Sequence, residues 1–156
     1  MAAGALSPGN REDALDETRY STGSGIHPLH AFLLAACVPL FIGGLLSDIA
    51  YSRTYEVQWT NFASWLIAGA LVFAGLALLW AFIELLRGDR QWRGMSLIYF
   101  LLLLGTWVLG FVDALVHAKD VWAKMPAALI LSIIVTILAI VATWIGFSTL
   151  RSGDRR

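Results

Sequence analysis

FASWLIAGALVFAGLALLWAFIELL, residues 62–86, decides the fold class. Its one ionisable residue, Glu84, stands close to its end. A helix rises about 1.5 Å per residue, so about 20 such residues reach across a hydrocarbon core of roughly 30 Å. A run this long and this apolar is a membrane span, because it has no polar face to offer water.

Runs of the same kind lie on either side, at about His30–Tyr51, Met95–His117 and Pro126–Leu150. Together they use most of the 156 residues and leave no room for a second folded domain. The chain is 58% hydrophobic and only 14% charged, with a mean hydropathy of +0.71. A soluble domain of that composition cannot cover its own surface with polar groups. The sequence therefore predicts an all-α membrane protein of four transmembrane helices. Short connections make an up-down bundle the default order. The transmembrane domain is expected over residues 26–151. Residues 1–25 mix Arg11, Glu12, Asp13, Asp16, Glu17 and Arg19 with Ser7, Pro8, Gly9 and Asn10. They are expected to be a polar, disordered tail and not a secretory signal, which needs a basic start and an apolar run. Residues 152–156 are expected to be a short basic tail.

Lys and Arg set orientation, since cytoplasmic loops carry them in excess. Arg87, Arg90 and Arg93 follow the second span, Arg151, Arg155 and Arg156 follow the fourth, and Arg11 and Arg19 precede the first. The opposite side has Arg53 with Glu56, and Lys119 and Lys124 with Asp120. Both termini are thus expected in the cytoplasm. Tyr55, Trp59 and Trp122 fit an outer interfacial belt and Trp92 an inner one. Trp65, Trp80, Trp107 and Trp144 fall deeper, as packing or lipid-facing residues.

Shifting the chain by about 65 residues exposes a weak repeat. Gly43-Gly44-Leu45-Leu46-Ser47-Asp48 falls on Val108-Leu109-Gly110-Phe111-Val112-Asp113. Trp80, Arg87 and Gly88-Asp89-Arg90 match Trp144, Arg151 and Gly153-Asp154-Arg155. The spans then read as two tandem helical hairpins, related by an axis along the membrane normal.

Ionisable groups in spans are costly and mark candidate sites. Asp48 lies about 27 Å of helix rise beyond His30, near the outer boundary. Asp113 occupies the equivalent place in span three, and His117 follows it one turn later on the same face. One reading is an outward acidic site, Asp48, Asp113 and His117, that binds a cation or relays protons. The other is a set of interfacial residues, hydrated or paired with Arg53 and Lys119. At the inner end, Pro28 suits a first helical turn. His27 and His30 share a face there, with Glu84 at similar depth. Two imidazoles and a carboxylate can hold a transition metal, or they can anchor the helix entry at the headgroups. A haem clamped between histidines of different spans is not expected, because His117 is about a bilayer away from His27 and His30.

Pro39 should bend span one, and Gly43, Gly44, Gly69 and Gly75 offer close approach between helices. Cys37, the single cysteine, has no intrachain disulfide partner and reads as an inert packing residue. A net charge of +0 without a basic patch argues against a nucleic-acid partner. No nucleophile motif, phosphate loop or Cys-rich metal signature occurs, so the chain is not expected to be an enzyme by itself.

The entry Ile26-His27-Pro28-Leu29-His30, Asp48, Glu84 and the run Trp144-Ile145-Gly146 resemble a bacterial membrane family, domain of unknown function 2231. The resemblance covers roughly Ile26 to Arg151 and implies four spanning helices. The family pattern usually has a proline where this chain has Ala31, and often a histidine where it has Ala35. Its span-one proline is shifted here to Pro39. A metal or haem role for the missing histidine therefore does not carry over. Family members often occur near or fused to Rieske-type iron–sulfur proteins, c-type cytochromes and periplasmic dehydrogenases. The resemblance thus implies a non-catalytic subunit or anchor of a redox system in the bacterial inner membrane, with such a protein as partner. The residues leave two other readings open: a small ion- or proton-binding protein or transporter using the outer acidic site, and an oxidoreductase subunit binding haem or quinone.

Overall fold

The computed structural model describes residues 27–87, 93–119 and 125–151. The two expected tails, the turn containing Arg90, and Trp92, Asp120, Trp122 and Lys124 lie outside the described residues. The described chain forms helices α1 (Pro28–Thr54), α2 (Val57–Arg87), α3 (Arg93–His117) and α4 (Ala127–Arg151). All four are long and apolar enough to cross a membrane. Each contains nearly all of one of the expected spans.

Local chemistry fixes the ends of α1. His27 caps it, with Nδ1 accepting from the Leu29 N–H at 3.3 Å. Pro28 fills the first helical position, where its missing N–H costs nothing. The helix runs unbroken through Pro39, which leaves the Ala35 carbonyl without its usual N–H donor. It ends at Tyr55, a left-handed residue (φ 56°) whose N–H returns to the Tyr51 carbonyl at 2.8 Å. Only Tyr55 and Glu56 join α1 to α2. A link that short forces the two helices to pack antiparallel.

Each helix packs on the next, and α4 closes back on α1. This is an up-down bundle of two consecutive hairpins. α1 and α3 run parallel across its diagonal, as contacts at both ends show: His30 meets Tyr99, and Asp48 meets His117. Both contacts have the same sequence separation, 69 residues.

On α2 the packing puts mainly small residues inside and large ones outside. α2 buries Thr60, Ala63, Ile67, Ala70, Ala74, Ala77 and Ala81, a stripe at three- and four-residue spacing. Trp65, Val72, Leu76 and Leu79 of the same helix face outward. Lipid is as apolar as leucine, so helices associate through close packing, for which small residues serve best. Gly44 shows the tolerance: a Cβ there would stand 3.1 Å from Ile67 Cγ1. The middle of the bundle is an apolar layer of Cys37, Phe41, Ala70, Ala74, Val135 and Ala139. Trp65 and Trp144 are 74% and 76% exposed and face lipid.

Candidate functional site

The apolar middle layer separates two polar clusters, one near each end of the bundle. Asp48 of α1, Asp113 and His117 of α3, and Ser132 of α4 form the first. Asp48 stands about 9 Å of helix rise below the end of α1 at Thr54. Both carboxylate side chains are 0% exposed and the imidazole 1%.

His117 Nδ1 donates to the Asp113 backbone carbonyl, one turn back, at 2.9 Å. That bond fixes the ring and aims Nε2 at Asp48 Oδ1, 2.8 Å away. The Ser132 hydroxyl sits between the two carboxyl groups, against Asp48 Oδ2 and, at 3.0 Å, Asp113 Oδ2. Asp113 Oδ1 makes no well-formed hydrogen bond and stands 3.2 Å from His117 Nδ1. Three helices thus contribute to one hydrogen-bonded unit.

Asp48, Asp113 and His117, grouped by their positions in the sequence, are in contact. Both carboxylates are wholly buried within the bundle and not hydrated at its surface. Among the described residues their partners are His117 and Ser132, not Arg53 or Lys119. Ser132 escaped sequence reasoning. Its one signal is the Ser132, Thr136 pair, polar residues one turn apart in the otherwise apolar stretch from Ala127 to Ala142. Thr136 in turn bonds the Phe41 carbonyl at 3.3 Å.

A polar cleft of about 450 Å³ opens over this cluster, lined by Val57, Gln58, Thr60, Asn61, Ser64, His117 and Lys119. It lies between the start of α2 and the end of α3. His117 is both part of the buried unit and part of the cleft wall, so the unit lies directly beneath the cleft.

The second cluster surrounds Trp80 at the opposite end. His30, 2% exposed, pairs Nε2 with the Tyr99 hydroxyl at 2.8 Å. Trp80 lies against both histidines, with ring centroids 4.9 Å from His27 and 5.9 Å from His30, and its indole N–H donates to Glu84 at 2.7 Å. Glu84 and His27 are at the exposed rim. The three residues grouped as a metal set thus surround an indole, and His27 Nδ1 is occupied by the helix cap. Among the described residues no three His, Cys, Asp or Glu side chains stand together as metal ligands. Tyr99 was not singled out from sequence. Gly146 makes its position possible, because a Cβ there would meet Tyr99 Cε2 at 3.0 Å and Leu34 Cδ1 at 3.1 Å.

The match to known proteins agrees with this architecture. Residues 26–151 match the family described as predicted membrane protein (DUF2231). The chain belongs to that family. No curated protein and no solved structure matches it. The DUF2231 region begins just before the His27 cap and ends at the last residue of α4, so it contains both polar clusters.

Proposed function

We propose that this DUF2231 protein is a small ion- or proton-binding membrane protein, and that the Asp48–Asp113–His117–Ser132 unit is its binding site. The observation that carries the reading is the burial of two carboxylates and an imidazole, hydrogen-bonded to one another, beneath a polar cleft. Buried ionisable groups in a membrane are expensive, and a purely structural bundle has no need of them. The cleft borders the unit on one side through His117, and the apolar layer around Cys37 and Phe41 lies on the other, which supports access from one side only. The arginine bias of the loops supports an outward-facing mouth with cytoplasmic termini, and the family resemblance supports the bacterial inner membrane.

The redox association implied by the resemblance rests on the neighbours of other family members. A purification in mild detergent that brings down a cytochrome, an iron–sulfur protein or a dehydrogenase would support it. The binding-site reading is tested in purified protein by following thermal stability against pH and against monovalent and divalent cations. Asp48→Asn and Asp113→Asn should each alter the pH or cation dependence of the melting curve. Dependences identical to the parent protein in both variants would remove the reading.

A further inference from the structure

We propose that the ligand of the buried unit is a pair of protons, held in a net-neutral arrangement and exchanged with one side of the membrane through the cleft over His117. This rests on the binding-site reading above and narrows its cation to the proton.

The geometry of the unit counts its own hydrogens. Each hydrogen bond of the unit needs one, and the 3.2 Å approach of Asp113 Oδ1 to His117 Nδ1 adds none because Nδ1 already carries its hydrogen. The Asp113 backbone carbonyl only accepts, so His117 Nδ1 carries a hydrogen. His117 Nε2 and Asp48 Oδ1 share a second, on either the ring or the carboxyl. The Ser132 hydroxyl faces two carboxyl oxygens, Asp48 Oδ2 and Asp113 Oδ2, but has only one hydrogen to give. The remaining contact needs a hydrogen on a carboxyl oxygen. A neutral imidazole and the hydroxyl supply two of the four hydrogens, and two protons from water supply the rest. Two carboxylates carry two negative charges, so adding two protons brings the unit to zero.

Charge and hydrogen bonding therefore select the same state. Removing one proton leaves a net negative charge in a side-chain environment with no exposure, and it sets two lone pairs against each other at hydrogen-bonding distance. A metal ion fits poorly. Nδ1 is taken up by the Asp113 carbonyl and Nε2 by Asp48 Oδ1, so neither ring nitrogen is open to a metal, and the described residues hold no three-ligand metal set. The surroundings add little competing charge. α2 brings Thr60 to the unit's side of the bundle and Gln58 and Asn61 to the cleft, α4 brings Ser132 and Thr136, and Lys119 is the charged residue of the cleft wall. Proton release is balanced simply: an O–H or N–H bond in the unit breaks, water in the cleft takes the proton, and the unit's charge falls from zero to minus one.

The test counts protons. Vesicles containing the parent protein are stepped from neutral to alkaline pH, and the protons released per chain are measured with a pH indicator. They are compared with vesicles containing Asp113→Asn or Asp48→Asn. An asparagine amide supplies a hydrogen that does not titrate, so each variant keeps its contacts and should release one proton fewer than the parent. Infrared spectra of the parent at neutral pH should show a protonated-carboxyl band that shifts in heavy water, a result that requires no variant to fold. Absence of that band, or equal proton release from parent and variants, would overturn the proposal. Displacement of protons by added zinc or sodium would also overturn it, while leaving the binding-site reading intact. Variants with unchanged pH and cation dependence in the melting experiment would instead remove the binding-site reading itself.

Discussion

Replacing Asp48 by alanine removes the partner of His117 Nε2, at 2.8 Å, and one of the two carboxyl groups that hold Ser132. Two views of the site give different costs. Interhelical hydrogen bonds in membranes average only about 0.6 kcal/mol, because the unfolded chain finds other partners in the bilayer. Two ordinary bonds would then cost about 1 kcal/mol. Leaving a buried donor or acceptor without its partner costs about 1–3 kcal/mol for each group. Asp48 and His117 have side-chain exposures of 0% and 1%, so the second case applies. The expected loss is about 3 kcal/mol, more than a hundredfold in the folding equilibrium. Asp48→Asn keeps the shape and a hydrogen-bonding group, and should lose about 1 kcal/mol. Equilibrium unfolding in mixed micelles with increasing dodecyl sulfate, followed by circular dichroism, measures both. Asp48→Ala within about 0.5 kcal/mol of the parent would refute the reasoning, because only a hydrated surface carboxylate is lost that cheaply.

The same unfolding assay tests the opposite end. Tyr99→Phe deletes the hydroxyl that pairs with buried His30 Nε2, and His30 Nδ1 already lacks a hydrogen bond, so a loss of about 1–3 kcal/mol is expected. Gly146→Ala pushes a methyl group against Tyr99 and Leu34 and should cost about 1–3 kcal/mol by overpacking. Its effect should be far from additive with Tyr99→Phe, since both act on one contact. Cys37 is 4% exposed, with Sγ 3.9 Å from the Ala70 carbonyl. It should resist a maleimide in the folded bundle and react once dodecyl sulfate unfolds the protein, and rapid labelling in mild detergent would contradict that burial.

How much of this was legible in the sequence depended on how local the signal was. Spans such as residues 62–86 declare themselves by their own composition, and the His27-Pro28 start of α1 could be read from capping chemistry alone. The burial of Asp48 could not. Measuring rise from His30 gives its height along α1 but not the face it occupies, and only the docking of α3 and α4 shows that the carboxylate lies inside the bundle. The 65-residue register aligned Asp48 with Asp113, whereas the side chain that reaches Asp48 is one turn further on, at His117. His30 meets Tyr99 at the same separation, a relation that appears only when α1 and α3 lie parallel across the diagonal. Ser132 is one of several hydroxyls in a largely apolar span. Nothing local distinguishes it from a serine bonded to its own helix, as Ser64 is to the Thr60 carbonyl. Trp80 could not be read as the spacer between His27, His30 and Glu84, because its place depends on how α2 docks on α1.

The central claim is that Asp48 and His117, on opposite corners of the bundle, act as one buried unit. A double-mutant cycle with Asp48→Ala and His117→Ala, read by dodecyl sulfate unfolding, tests it most directly. The pair at 2.8 Å should show a coupling energy of at least about 1 kcal/mol. Additivity within about 0.3 kcal/mol would mean that the two side chains do not interact and that the site does not exist as described.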